Sequence, residues 1–408
     1  MNKNSLHIFC LGLFISLISI LYFYSLAFSI PFIVIAILAP VAGFFLFRHI
    51  LKNTMQDEKR EPDRRPLYIL AGGIVVITAI SSILLRKHGD TDAIGNWNFI
   101  ARYIADQEHW KNLFNNSVSQ AHADYPLAYP GAIAFFWNLL STRSEIVSLA
   151  ITYIPAICIP VVIFIELYKK HLPLATAILV IFAFDRYYLN CGLNQYADTL
   201  LSFYLLCAII SMQYFDRTRD DMYLVLCTAM LGCCLWTKNE GLIICAVFGL
   251  FYFRTFTAKR YLRCSIYGIA LPAITFIFFK LVYAPANDLL AGSDTSAISL
   301  LTDKARYKLI FQHLKQSFNT HFFVLGLLGL IYIAYSIFRL RLFTKEFLLL
   351  CCILAIYIVI YLISPRDLNW HLATSLDRLI VQLSPSLFLI LGNEISKINI
   401  PLAAGTKS

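Results

Sequence analysis

The chain has 408 residues, of which 59% are hydrophobic and only 14% are charged, and its mean hydropathy is +0.68. Soluble globular domains are about half apolar and about a quarter charged, so this composition excludes an ordinary soluble protein. The net charge of +10 does not indicate a nucleic-acid-binding protein, because the basic residues are scattered through short polar segments. Long uncharged runs, such as 11–47 and 67–85, predict an all-α, polytopic bundle of transmembrane helices.

Apolar runs predict about 11 to 13 membrane spans in a single membrane domain, 1–408. In chain order, the predicted spans are 6–28, 30–47, 67–85, 145–167, 172–189, 197–215, 222–236, 240–253, 265–283, 321–338, 346–363 and 379–396. One broken helix is an alternative interpretation of the two short spans that meet near Lys238. The first run is longer than the apolar core of a signal peptide, so we interpret it as an uncleaved span.

Lysine and arginine are distributed unevenly between alternate polar segments. More than half of the 34 basic residues lie near the two ends of the chain or in the segments 48–65, 168–171, 216–221, 254–263 and 339–345. The positive-inside rule therefore predicts that these segments and both termini are cytoplasmic. The opposite set is predicted to be extracytoplasmic, in an inner or plasma membrane, and its largest members are 86–144 and 284–320.

The first large extracytoplasmic segment contains two aspartates, Asp90 and Asp92, just after a predicted span. Apolar residues then recur at spacings of three and four from Ile94 to Ile104, which predicts an amphipathic helix along the membrane surface. Capping this helix is an alternative role for either aspartate. A second surface helix is predicted for 300–318.

Four sequence segments resemble, in chain order, bacterial membrane glycosyltransferases of the GT-C class, in the group of the protein mannosyltransferases and aminoarabinose transferases. They are "DAIGNWNFIARYI" with "DYPLAYPGAIAFF", then "NQYADTLLSFYLL", "WTKNEGL" and "HLATSLDRLIVQLSPSL". The resemblance spreads over most of the chain. It implies an enzyme that takes a sugar from a polyprenyl-phosphate carrier in the bilayer and passes it to a glycan, lipid or protein outside.

Such a reaction needs a carboxylate to remove the proton of the acceptor hydroxyl and cations to hold the departing phosphate. The resemblance implies that Asp92 is the general base of an inverting transfer, with Asp90 as a second catalytic candidate. It assigns the phosphate to two cations at the ends of predicted spans, each beside an acidic residue that we expect to be its partner: Lys238 with Glu240, and Arg378 with Asp377. Structural ion pairs at helix ends are the alternative interpretation of both.

Five further residues are candidates for substrate binding. Trp97 and Tyr125 are expected to stack on a sugar ring, although aromatic residues are common at membrane interfaces. Asp198 is expected in the site wall, with helix capping as its alternative role. His371 is expected to hydrogen-bond the sugar or the carrier. Arg102 is included because the class usually has a basic residue near it, but the lysine that such sequences carry near position 100 is absent.

No metal or other cofactor is expected, although Asp90-Thr91-Asp92 leaves a divalent cation as an alternative. Most of the eleven cysteines lie in apolar segments without metal-ligand spacing, which indicates small hydrophobic residues. Three other functions remain open. A glycolipid transporter or flippase would be expected to have ionisable or Gly/Pro-broken helices at mid-membrane, together with internal repeats. The others are a polysaccharide polymerase or ligase and a scaffold without chemistry.

Overall fold

The structure, a computed structural model of the chain, describes residues 3–54, 64–86, 88–115, 122–286, 297–340 and 342–397. Every regular element in these ranges is helical, which confirms the predicted all-α class. The α-helices are α1 Lys3–Ala27, α2 Phe32–Thr54, α3 Arg65–Leu84, α4 Asn98–Ala105, α5 Ala128–Leu139, α6 Glu145–Leu167, α7 Leu172–Phe184, α8 Arg186–Leu193, α9 Ala197–Thr218, α10 Asp221–Thr237, α11 Glu240–Phe251, α12 Phe253–Thr257, α13 Leu262–Val282, α14 Ala297–Thr302, α15 Lys304–Thr320, α16 Phe323–Phe338, α17 Lys345–Ile363 and α18 Leu368–Ile395.

Eight of the described helices are long and apolar enough to cross a membrane: α1, α2, α3, α6, α9, α13, α17 and α18. Two bent pairs raise the number to ten if each pair is one span, namely α7 with α8 at 61° and α15 with α16 at 104°. The multi-pass helical architecture is therefore confirmed, but the predicted count was higher. The predicted and observed numbers of spans differ mainly because of α10 and α11. These helices have 17 and 12 residues, fewer than the roughly 20 that a span requires.

Helix α9 is the centre of the bundle, with 89% of its most apolar window buried. It packs against α6, α10 and α18, and α10 in turn packs against α13. The contact between α10 and α13 is close because Gly268 has no side chain. A Cβ atom at this position would overlap the Thr228 hydroxyl and the Val225 carbonyl oxygen. Helices α2 and α3 are peripheral and bury only 17% and 11% of their windows, so their apolar surfaces face lipid.

The segment after Asp92 forms a π-helical turn, Ala93–Trp97, that leads into α4. Asp92 precedes this turn but makes no capping hydrogen bond, so the capping alternative is wrong for Asp92. Most of the apolar stripe of the predicted surface helix is buried in the protein, and only Ile94, at 52% exposure, is open. Ile100 and Ile104 of α4 are completely buried in the protein core, where α4 packs against α5. Residues 116–121 of this segment and 287–296 of the second one lie outside the described ranges.

We predict that Gly268→Ala lowers the free energy of unfolding by about 1–3 kcal/mol, because the added methyl group must push α13 away from α10. Gly249→Ala in α11 is the matched control, since a Cβ there has no neighbour within 4 Å. The measurement is reversible denaturation of the purified protein in mixed micelles. Equal stability of the two variants would show that the α10–α13 contact is not tightly packed.

Candidate active site

A cavity of about 680 Å³ opens at one end of the bundle. Here α9, α11 and α18 begin, whereas α10 and α17 end. The segment around Asp92 and the loop around Tyr125 complete its lining. The lining includes several charged side chains and the apolar residues Ile243, Ile360 and Ile363. This combination suits a ligand with both a polar and an apolar part.

Eight of the eleven residues predicted for the site line this one cavity, and three do not. Those in the lining are Asp90, Asp92, Tyr125, Asp198, Lys238, Glu240, His371 and Arg378. Those outside it are Trp97, Arg102 and Asp377. The residues come from parts of the chain that are far apart in sequence, so the fold itself brings them together.

The most buried charged group of the cavity is an ion-pair cluster around Lys238. Its Nζ lies 2.9 Å from Asp198 Oδ1 and 3.0 Å from Glu240 Oε1, and only 5% of the Lys238 side chain is exposed. The expected Lys238–Glu240 pair is thus present, and Asp198 is a second partner. Asp198 lies in the first turn of α9, and the N-cap residue of this helix is Tyr196. Gln382 of α18 also donates to Asp198 Oδ1, at 2.5 Å, and so adds a fourth helix to the ends of α9, α10 and α11 that meet at the cluster.

Two oxygen atoms of the cluster are buried without a hydrogen-bond donor among the described residues. They are Asp198 Oδ2 and Glu240 Oε2. A buried carboxylate oxygen without a donor is costly, because it loses its hydration and gains nothing in return. Both residues line the cavity. Hydroxyl or ammonium groups of a bound ligand would satisfy these two oxygens.

Arg378 forms the second ion pair of the cavity, with Asp92, through a hydrogen bond from Nη1 to Asp92 Oδ2. The guanidinium group lies 4.8 Å from the centre of the Tyr196 ring, and its Nε is buried without an acceptor among the described residues. The expected Asp377–Arg378 pair is wrong. Neighbouring helical residues point about 100° apart, and Asp377 instead approaches His321, with 3.7 Å between Oδ2 and Nε2.

Asp90 is held by different groups from Asp92. The Tyr196 hydroxyl donates to Asp90 Oδ2 at 2.5 Å, and the Thr91 amide donates to Oδ1 at 2.7 Å. The hydrogen bond from Tyr196 is the largest cause of a lowered pKa for Asp90, and the Thr91 amide adds to it, whereas partial burial opposes both. Asp90 is therefore an ionised, anchored carboxylate.

Only one of the two predicted stacking residues reaches the cavity. Tyr125 lines it, and its ring stacks with the rings of His122, at 5.0 Å, and Trp97, at 5.7 Å. Trp97 is only 1% exposed and lies behind Tyr125, so the prediction that Trp97 stacks on a ligand is wrong. Its role is to support the Tyr125 ring, which Lys238 also approaches, with 5.7 Å between Nζ and the ring centre.

The two remaining candidates differ in position. Arg102 has 58% of its side chain exposed, lies 3.9 Å from Glu145 and is outside the cavity, so its role in binding stays a prediction. His371 is in the lining, where its Nδ1 is 3.0 Å from the Ser364 hydroxyl and its ring contacts Tyr361 edge-on.

Sequence reasoning missed several polar and aromatic lining residues. The most important are Tyr196, which contacts Asp90 and Arg378, and Tyr357 and Tyr361 of α17. The two α17 tyrosines are four residues apart, so they project from one face of a predicted span. This spacing is the sequence feature from which both tyrosines could have been predicted to share one site. Tyr357 donates to Gln382 at 2.9 Å and thereby supports the Lys238 cluster.

Within the described ranges, no group of three or more His, Cys, Asp or Glu side chains is arranged to hold a metal ion. The two aspartates of the Asp-Thr-Asp sequence bind Tyr196 and Arg378 rather than converging on a common point. The expectation that no metal is needed stays a prediction.

No protein-family model, curated protein or solved structure matches this chain.

We predict that Lys238→Met lowers the free energy of unfolding by about 3–5 kcal/mol, because it leaves Asp198 and Glu240 charged and unpaired in a buried place. Lys397→Met is the control. It breaks the exposed Lys397–Glu394 pair and should cost about 0–1 kcal/mol. Denaturation in mixed micelles measures both. A Lys238 variant as stable as the control would contradict a tightly coupled cluster.

The lowered pKa of Asp90 predicts a pH-dependent effect of Tyr196→Phe. The hydrogen bond stabilises the folded state above the usual aspartate pKa of about 3.9, and this stabilisation is lost as the pH falls through the lower folded pKa. The variant should therefore be less stable than the parent at pH 7, and the difference should shrink in acid.

Unfolding midpoints measured between pH 7 and pH 3 test this prediction. In an Asp90→Asn background, Tyr196→Phe should produce no such pH dependence. If the difference between variant and parent stays constant down to pH 3, the hydrogen bond does not control the pKa of Asp90.

Proposed function

We propose that this chain is an inverting glycosyltransferase that moves a monosaccharide from a polyprenyl-phosphate carrier to an extracytoplasmic acceptor. The observation that carries the proposal is the direct contact of Asp92 and Arg378 in a cavity whose lining also includes apolar residues. A carboxylate and a cation are the two groups that the transfer requires. The resemblance of the lining segments to GT-C enzymes supports the same assignment.

The cavity offers complementary groups for each part of such a donor. Ile243, Ile360 and Ile363 provide apolar surface for the prenyl chain. Arg378 provides a guanidinium group for the phosphate. Its buried Nε–H group has no acceptor among the described residues and can donate a hydrogen bond to a phosphate oxygen. The ammonium group of Lys238 already contacts two carboxylates, so we assign Lys238 to positioning the cavity wall instead of to the phosphate.

The chemical step requires Arg378 to exchange partners. When the phosphate of the donor approaches, the guanidinium group turns from Asp92 to the phosphate, and the Asp92 carboxylate is released. Asp92 then accepts the proton of the acceptor hydroxyl while the hydroxyl oxygen attacks the anomeric carbon. The bond from that carbon to the phosphate oxygen breaks, and polyprenyl phosphate leaves with the electron pair. Attack opposite the leaving group inverts the anomeric configuration.

Asp92 is a better candidate for the base than Asp90. The pKa of Asp90 is lowered by its hydrogen bond from Tyr196, and a carboxylate with a lower pKa is a weaker base. Asp92 is 35% exposed and binds a partner that the donor phosphate is suited to take over. Asp90 instead fixes Tyr196, on whose ring Arg378 lies.

The distribution of lysine and arginine supports a location in an inner or plasma membrane with the cavity on the extracytoplasmic face and both termini in the cytoplasm. The acceptor is then a cell-envelope glycan, a glycolipid or a protein. The partners that we propose are the lipid-linked sugar, this acceptor and the bilayer, with no nucleic acid.

The test is to compare Asp92→Asn, Asp90→Asn and Arg378→Ala in cells that lack the parent gene, with mass spectrometry of envelope glycans and of lipid-linked sugars. Asp92→Asn should reduce the glycosylated product by about 10²-fold or more and cause the lipid-linked sugar to accumulate. Arg378→Ala should raise the KM for the donor. Arg102→Gln, which changes an exposed residue outside the cavity, is the control.

Normal product from an Asp92→Asn protein at normal abundance would exclude Asp92 as the base. If cells without the protein keep the lipid-linked sugar on the cytoplasmic side of the membrane, the protein is a transporter instead.

A further inference from the structure

Helix α15 lies across the end of the bundle that contains the cavity. It meets α16 at 104°. The exposed residues of α16 include Phe323, Leu330 and Ile337, each more than 60% exposed, which is the surface of a helix in lipid. A helix perpendicular to such a span runs along the plane of the membrane.

The inner face of α15 is fixed to the corner between α17 and α18. Arg306 donates through Nη2 to the carbonyl oxygens of Tyr361 and Ser364, both at 2.8 Å. His313 Nε2 lies 2.8 Å from the side-chain oxygen of Asn369 at the start of α18. These contacts set the rotation of α15 about its axis, so its other face is turned outward.

The outward face of α15 is a stripe of Lys304, Lys308, Phe311 and Lys315, which we call the lysine stripe. The spacings of four, three and four place these side chains in one row along the helix. All four are exposed, Phe311 to 67%. No acidic residue occurs between the first and last residues of α15, so the helix carries only positive charge.

We propose that the lysine stripe binds the phosphate groups of anionic phospholipids in the leaflet beside the cavity. Lysine side chains extend their charge to the headgroup layer while their methylene groups cover apolar surface. Phe311, and Tyr307 next to it at 48% exposure, are suited to the interface between headgroups and acyl chains. A soluble polyanion would gain nothing from these two aromatic side chains, so they favour a lipid as the ligand.

Lipid binding on this face has a consequence for the cavity. The same helix holds the end of α17 through Arg306, and Ser364 and His371 at that corner line the cavity. Anionic lipid would therefore anchor the rim of the cavity to the membrane surface. The inference does not depend on the reaction that the cavity performs.

The experiment uses the full-length protein in lipid nanodiscs that contain spin-labelled phosphatidylglycerol or spin-labelled phosphatidylcholine. Electron paramagnetic resonance gives the fraction of each lipid held at the protein. The parent should prefer phosphatidylglycerol, and Lys304→Gln/Lys308→Gln/Lys315→Gln should lower this preference by about threefold or more. Gln312→Ala/Gln316→Ala, on exposed neutral positions of the same helix, should leave it unchanged.

Replacement of the three lysines by arginine should preserve the preference, which separates loss of charge from loss of folding. The proposal is overturned if the glutamine variant keeps the preference, or if the alanine control loses it to the same extent. It is also overturned if soluble polyphosphate or inorganic phosphate binds the parent but not the glutamine variant, while both proteins show the same lipid preference. The lysines would then bind free anions.

Discussion

The buried contact of Lys238 with Asp198 and Glu240 is the constraint on which the cavity depends. Removing charges from water costs several kcal/mol per ion unless each finds a partner at close range. The three side chains come from the end of α10 and the starts of α9 and α11. The three helix ends must therefore meet within hydrogen-bonding distance, and Gln382 adds α18 to the same point. The wall of the cavity is a result of this requirement.

The second ion pair of the cavity differs in its surroundings. Asp92 and Arg378 are 35% and 18% exposed, whereas Asp198 and Lys238 are 1% and 5% exposed. Exchange of partners is cheaper where water or a ligand can replace the lost contact. The inner cluster is thus suited to holding the helices in place, and the outer pair is suited to changing its contacts when a charged ligand arrives.

The helical class and much of the site could be predicted from the sequence because charged and polar groups are costly inside a membrane. Uncharged runs of about 20 residues have few alternatives to membrane spans. A charge at the end of such a run needs a partner, so Lys238 with Glu240 and Arg378 were candidates for the site. The resemblance to GT-C enzymes added Asp198. The number of spans was less predictable, because hydropathy does not reveal where a helix bends or stops short.

The errors within the site also have physical causes. Trp97 and Tyr125 are both aromatic, and sequence alone does not show that one lies behind the other. Asp377 is next to Arg378 in sequence, but the helix turns the two side chains apart. Tyr196 was missed because its partner, Asp90, is 106 residues away and only the folded chain brings them together.

The π-helical turn Ala93–Trp97 determines the rotational phase between two parts of the protein. Such a turn contains one residue more than an α-helical turn, and each residue adds about 100° of rotation. Asp92, just before the turn, contacts Arg378, while Trp97, the last residue of the turn, supports Tyr125. Loss of a single residue here would separate one of these two contacts from its partner. The segment is therefore more sensitive to a change of length than to most changes of side chain.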